Sequence, residues 1–133
     1  MRVADIMTEP VITIDQGTTV QEAIRLIADE HVSALPVVDG AGTMLGVLST
    51  TDILQAAAET TESGSRNVLL DQTTVAEVMS RHPLTIAPTA DLREAARHLL
   101  YGGIHRLVVV ERGRPVGVLS QTDLVGALAT GRV

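Results

Sequence analysis

Apolar side chains recur along this chain at two spacings. Val20, Ala23, Ile24, Ile27 and Ala28 follow i, i+3, i+4, i+7, i+8, the signature of a helix that buries one face; Leu92, Ala95, Ala96, Leu99 and Leu100 repeat it. Between and around these helices lie apolar runs too short for a helix and rich in β-branched residues. Val11 to Ile14 and Leu84 to Ile86 predict short leading strands, and Leu35 to Val38 and Leu107 to Val110 predict buried ones. Turn residues at Asp39 to Gly42, and at Arg112 with Gly113, return the chain into second strands at Met44 to Leu48 and Val116 to Leu119. A further helix is expected to begin near Ser49 and near Ser120.

The two halves of this pattern are one unit written twice. Val3-Ala4-Asp5-Ile6-Met7 recurs as Val75-Ala76-Glu77-Val78-Met79, and Gly46-Val47-Leu48-Ser49-Thr50-Thr51-Asp52-Ile53 as Gly117-Val118-Leu119-Ser120-Gln121-Thr122-Asp123-Leu124. Each unit reads strand, helix, strand, strand, helix, preceded by a short helical lead-in at Ala4 to Met7 or Ala76 to Met79. The expected division is 1–62 for the first unit, 63–74 for a linker and 75–133 for the second. The fold class is α+β (α/β), with short mixed sheets packed against helices. Met7 and Met79 are expected to pack in the core beside the lead-ins.

The polar cluster that repeats is glycine, two apolar residues, serine, any two residues of which the second is threonine, then aspartate, where a strand feeds a helix. One reading is structural: Ser49 with Asp52, and Ser120 with Asp123, fit a capping box that satisfies free backbone N–H groups. The other reading is a ligand site. A cap requires neither Gly46 and Gly117 nor Thr51 and Thr122. Glycine lets backbone approach a ligand, although a β-bulge also explains it; a helix N-terminus favours phosphate; and an aspartate can accept from the paired hydroxyls of a ribose. Capping and binding can share these atoms.

Composition narrows the function. All ten basic residues are arginine, which removes lysine Schiff-base chemistry and the lysine of a phosphate-binding loop. There is no cysteine, so no disulfide frame or thiolate zinc site exists. One aromatic side chain, Tyr101, and a net charge of -6 leave neither stacking platform nor basic field for nucleic acid. No apolar run approaches the ~20 residues that span a bilayer, and no long apolar signal core follows Met1, so a cytoplasmic protein without membrane partners is expected. His31, His82 and His98 are scattered, with Glu94 and His98 in i, i+4 contact on a solvated helix face, so no metal site is expected. No nucleophile, base and orienting acid are grouped, so no enzyme is expected.

With these residues in view, the chain resembles a tandem pair of cystathionine-β-synthase domains, the CBS pair or Bateman module, from Asp5-Ile6-Met7 through Leu35-Pro36-Val37-Val38-Asp39 to the second Gly-x-x-Ser-x-Thr-Asp motif. The resemblance implies two βαββα units about a pseudo-twofold axis, and clefts that take adenosine-containing ligands. It implies one cleft formed by Val47, Ser49, Thr51 and Asp52 with His82, Leu84, Ile104, His105 and Arg106, and another formed by Val118, Ser120, Thr122 and Asp123 with Pro10, Ile12, Val32, Ser33 and Ala34. Ile104-His105-Arg106-Leu107 resembles the phosphate-gripping segment of the regulatory gamma subunits of AMP-activated kinases, which implies that Arg106 can meet a phosphate bidentately; a surface ion pair is the plainer account of His105 and Arg106. Val32-Ser33-Ala34-Leu35-Pro36 resembles the neutral adenine-lining counterpart. The implied function is a regulatory module that senses AMP, ADP, ATP or S-adenosylmethionine, requires no cofactor, forms a homodimer, and passes its bound state to an effector protein. The alternative is a ligand-free dimerisation or interaction module. Leu26, Ile53, Leu54, Leu124, Val125 and Leu128 are the apolar positions expected to remain for the dimer.

Overall fold

The computed structural model describes residues 1–59, 70–102, 104 and 106–130. The chain forms two compact units, and their limits are not those of the sequence repeats: Ile12–Pro83 makes one, while Met1–Val11 together with Leu84–Val133 makes the other. Each unit takes its lead-in from the opposite repeat. Most of the expected linker, residues 63–69, lies outside the described residues.

In the unit Ile12–Pro83, β1 (Ile14–Asp15) leads to α1 (Val20–Glu30), β2 (Ala34–Val38), β3 (Met44–Ser49) and α2 (Thr50–Ala58). The lead-in then adds α3 (Val75–Val78) and a strand β4 (Ser80–Arg81) that the sequence pattern did not mark. The sheet runs β1-β2-β3-β4, with β1 parallel to β2 and the other pairs antiparallel. The leading strand pairs only from Ile14, slightly later than the expected Val11 to Ile14. Thr19 caps α1 by accepting from the Glu22 amide at 3.3 Å, and the helix ends at His31 in the left-handed region (φ 54). Ile14, Ala23, Leu35, Val37, Leu48, Val75 and Met79 form the core, so the lead-in contributes two of its members.

The second unit repeats the plan. A 3-10 turn (Val3–Asp5) from the N-terminal lead-in accompanies β5 (Thr85–Ile86), α4 (Leu92–Tyr101), β6 (Arg106–Glu111), β7 (Arg114–Ser120) and α5 (Gln121–Ala129). The sheet order is β5-β6-β7, and an isolated bridge between Thr8 and Val118 stands where β4 stands in the first unit. Val3, fully buried, joins Ile86, Leu92, Ala95, Leu99, Leu107, Val109 and Leu119 in the core. Burying a valine of this kind contributes about 1.5 kcal/mol or more, so the lead-in is held by packing as well as by hydrogen bonds.

Both helical stripes are narrower than the sequence suggested. Val20 and Ala23 on α1, and Leu92, Ala95 and Leu99 on α4, are buried, whereas Ala28 and Leu100 are exposed. A residue eight positions on lies about 80° around the helix axis from the first, at the margin of the stripe. The two hairpins share an irregularity: pairing shifts between Val37 and Val38 and between Val109 and Val110, leaving Leu45 and Val116 as the extra residues of a bulge, each next to a motif glycine. Glu111 pairs with Arg114 across a two-residue turn in which Arg112 and Gly113 both have positive φ, 54 and 78.

Candidate functional site

The two Ser-x-Thr-Asp turns have matching geometry. Ser49 and Ser120 are extended N-caps of α2 and α5; each Oγ accepts from the amide of its aspartate at 3.1 Å, and Oδ2 of Asp52 or Asp123 accepts from the serine amide at 2.9 Å. The capping box is therefore present twice. Both aspartates are half-buried.

The lead-ins reach these same carboxylates. Ser80 donates its hydroxyl to Oδ1 of Asp52 at 2.7 Å, and Thr8 donates to Oδ1 of Asp123 at a long 3.5 Å. Backbone pairing brings them there: Val47 stands opposite Ser80, and Thr8 and Val118 exchange N–H···O bonds of 2.8 and 3.0 Å. The motif glycines make room for this approach. A Cβ on Gly46 would lie 2.5 Å from the Ser80 carbonyl oxygen, and one on Gly117 would lie 2.6 Å from Met7 Sδ and 3.1 Å from the Thr8 carbonyl oxygen. In this structure the close approach that glycine permits is to a lead-in.

The threonines receive no such explanation. Thr51 and Thr122 are exposed, and among the described residues their hydroxyls meet no partner. Over Thr122 and Asp123 lies an open depression of about 380 Å³ walled by Asp5, Met7, Gly126 and Thr130, all of one unit.

The other expected site residues divide between the units. With Asp52 stand Ile12, Val32, Ser33, Ala34 and Val47; Ala34 pairs with Ser49 in register, and the Ser33 carbonyl accepts from the Thr50 amide at 2.9 Å. His82, in the same unit, is exposed with φ 59. With Asp123 stand Pro10, Leu84, Ile104, Arg106 and Val118; Arg106 is exposed and pairs in register with Ser120, and the Ile104 carbonyl accepts from Gln121 Nε2 at 3.4 Å. His105 lies outside the described residues. Sequence reasoning missed Thr8 and Ser80, although a hydroxyl follows the repeated methionine in both lead-ins, at Met7-Thr8 and Met79-Ser80. Among the described residues no group of three or more His, Asp or Glu is placed to hold a metal, and no helix is long and apolar enough to cross a membrane.

A duplicated strand-helix-strand-strand-helix unit with a capped Ser-x-Thr-Asp turn in each copy defines a class of paired small modules. The family model of the CBS domain matches residues 3–59 and again 75–130, and the chain belongs to that family as a tandem pair. CBSX2 from Arabidopsis thaliana, solved in complex with AMP, is similar at 30% identity and a TM-score of 0.83, with 99% of this chain and 98% of that one covered. The CBS domain-containing protein YhcV of Bacillus subtilis is 35% identical over 122 residues, 92% of this chain and 81% of YhcV. Protein MJ1225 of Methanocaldococcus jannaschii is 27% identical over 128 residues, and there the chain spans 43% of the relative's length. It spans 23% of a homoserine O-acetyltransferase of Methanococcoides burtonii, at 31% identity over 123 residues.

Proposed function

We propose that this chain is a regulatory, ligand-sensing module that binds adenosine-containing nucleotides, AMP, ADP, ATP or a relative such as S-adenosylmethionine, and transmits its bound state to a partner or attached protein. The observation that carries this reading is the state of the two motif aspartates. Each carboxylate is oriented by a capping box yet keeps lone pairs free, and beside it stands a threonine hydroxyl with no partner among the described residues. A carboxylate so held suits the paired hydroxyls of a ribose, and the adjacent helix N-terminus suits a phosphate. The likeness to CBSX2, solved with AMP, supports the same ligand class. Arg106 supplies an exposed guanidinium for phosphate. Catalysis and a resident cofactor are not part of this reading.

A ligand that binds only the folded state at one hundred times its Kd adds about 2.7 kcal/mol to stability. Thermal unfolding with AMP, ADP, ATP, S-adenosylmethionine and adenosine therefore tests the proposal directly. At least one of them is expected to raise Tm in the parent and to leave the doubly substituted Asp52→Ala, Asp123→Ala protein unmoved. An unchanged parent Tm with every ligand at millimolar concentration overturns it.

A second part of the proposal is self-association. Leu54 on α2, Leu100 and Tyr101 on α4, and Val125 and Leu128 on α5 are between 60% and 85% exposed, an unusual display for large apolar side chains on helices. They favour a homodimer held by helices. Leu26, Ile53 and Leu124, expected for the same face, instead pack against the cores because they lie on the inner margins of their helices.

A further inference from the structure

The lead-in hydroxyls act on the only charged atoms of the repeated motif. On Asp52, Oδ2 is anchored by the Ser49 amide at 2.9 Å and Oδ1 by the Ser80 hydroxyl at 2.7 Å. An aspartate held at one oxygen still turns about its last torsion, which has a broad energy well. Held at both, its plane is fixed. Each carboxylate oxygen has two acceptor positions, so the two anchors leave one on each oxygen for an incoming pair of hydroxyls.

The Ser80 anchor is built rather than incidental. Antiparallel pairing of Gly46 with Arg81 and Val47 with Ser80 fixes the donor's backbone, and the missing Cβ of Gly46 admits it. Asp123 has the same capping bond at 2.9 Å, but its second donor, Thr8, stands at 3.5 Å, the limit of a hydrogen bond. The two aspartates thus differ in how firmly they are oriented.

We propose that Ser80 is a positioning residue that fixes the Asp52 carboxylate for recognition of a vicinal diol, and that Thr8 has no comparable hold on Asp123. The proposal rests on the ribose-binding reading above. Ser80 does not itself touch the ligand; it acts through Asp52, and its effect is confined to ligands that present both ribose hydroxyls.

The test is a titration of the isotopically labelled full chain by NMR, with AMP and with 2′,3′-dideoxyadenosine monophosphate, reading the Thr51 and Asp52 amides separately from those of Thr122 and Asp123. Loss of one hydrogen bond's worth of orientation is expected to weaken AMP at Asp52 by about threefold to tenfold in Ser80→Ala, while the dideoxy nucleotide stays within about twofold. Ser80→Thr, which keeps the hydroxyl, restores AMP binding, and Thr8→Val leaves AMP at Asp123 within about twofold of the parent. An equal loss for both nucleotides in Ser80→Ala shows that Ser80 merely shapes the fold, and no loss for either shows that Asp52 needs no second anchor; both overturn the proposal and leave nucleotide binding intact. If the parent itself fails to prefer AMP over its dideoxy analogue, or binds neither, the ribose reading falls and this inference falls with it.

Discussion

Gly46 and Ser80 are packed so closely that a Cβ on the glycine would stand 2.5 Å from the serine's carbonyl oxygen. That oxygen belongs to backbone paired in a sheet and cannot swing aside. Gly46→Ala is expected to lower unfolding free energy by about 1–3 kcal/mol, the scale of overpacking a close-fitted interior. Gly117→Ala should lose less, because its nearest neighbour is the flexible Met7 side chain, with backbone no closer than 3.1 Å. Urea unfolding of the two variants checks the order; a Gly117→Ala loss equal to or above that of Gly46→Ala contradicts it.

His31 and Arg112 sit in the left-handed region, both at φ 54, where an L side chain is strained and glycine is not. His31 ends α1, and Arg112 opens the tight turn between β6 and β7. His31→Gly and Arg112→Gly are each expected to change stability upward by about 0.5–1 kcal/mol, relief of strain exceeding the entropy that glycine adds to the unfolded chain. Melting temperatures of the single and double variants measure it, and the two gains should add.

Asp52→Ala and Asp123→Ala each delete a capping bond, at a cost of about 1 kcal/mol in stability. Asp52→Ala should cost more than Asp123→Ala, since it also strips Ser80 of its 2.7 Å acceptor where Thr8 loses only a 3.5 Å one. On folded protein, each substitution is expected to weaken nucleotide binding about tenfold or more, the scale of charge-assisted hydrogen bonds. Calorimetry on variants whose folding has been verified by circular dichroism separates the two losses.

Arg106 is exposed at the first position of β6, opposite Ser120, with its guanidinium in solvent. Arg106→Ala is expected to weaken AMP about tenfold and leave adenosine unchanged, since only phosphate recognition is removed. The difference should shrink at raised salt if the arginine works from a solvated surface. Parallel calorimetric titrations decide; equal losses for AMP and adenosine assign Arg106 to the fold or to the nucleoside instead.

Light scattering at micromolar concentration is expected to give twice the chain mass. Val125→Asp with Leu128→Asp should return it to the monomer without loss of helix signal, because both side chains are more than half exposed and lie outside the cores. A monomeric parent removes the dimer from the proposal.

Much of the fold was legible because the apolar spacing that predicts α1 and α4 survives in Val20, Ala23, Leu92, Ala95 and Leu99, and because Ser49 and Ser120 begin their helices as a capping box should. The strands β2, β3, β6 and β7 fall within a few residues of their expected runs. What the pattern could not carry is partnership between distant segments. Periodicity tells that Val3 and Val75 are apolar, not whose sheet they cover, so the exchange of lead-ins stayed hidden, as did β4, which is two exposed residues with no alternation to read. The same limit holds for the motif glycines: a glycine announces that something comes near without saying what. The aspartates stand out in the sequence because their residue type is chemically committed; Ser80 and Thr8 do not, because an isolated hydroxyl carries no such commitment.

The discontinuous make-up of the second unit orders events during synthesis. Residues Ile12–Pro83 are contiguous and can close while the rest of the chain is still being made. The bridge from Thr8 to Val118, and the burial of Val3 in one core with Leu119, instead join positions far apart along the chain. Until α4 and the strands after it leave the ribosome, the segment Met1–Val11, Val3 included, lacks the apolar surface it covers and remains open to proteases. Such long-range closure is slow for reasons of chain entropy alone. A chain that stops between Pro83 and Leu119 therefore has one finished unit and a second whose N-terminal segment is incompletely covered.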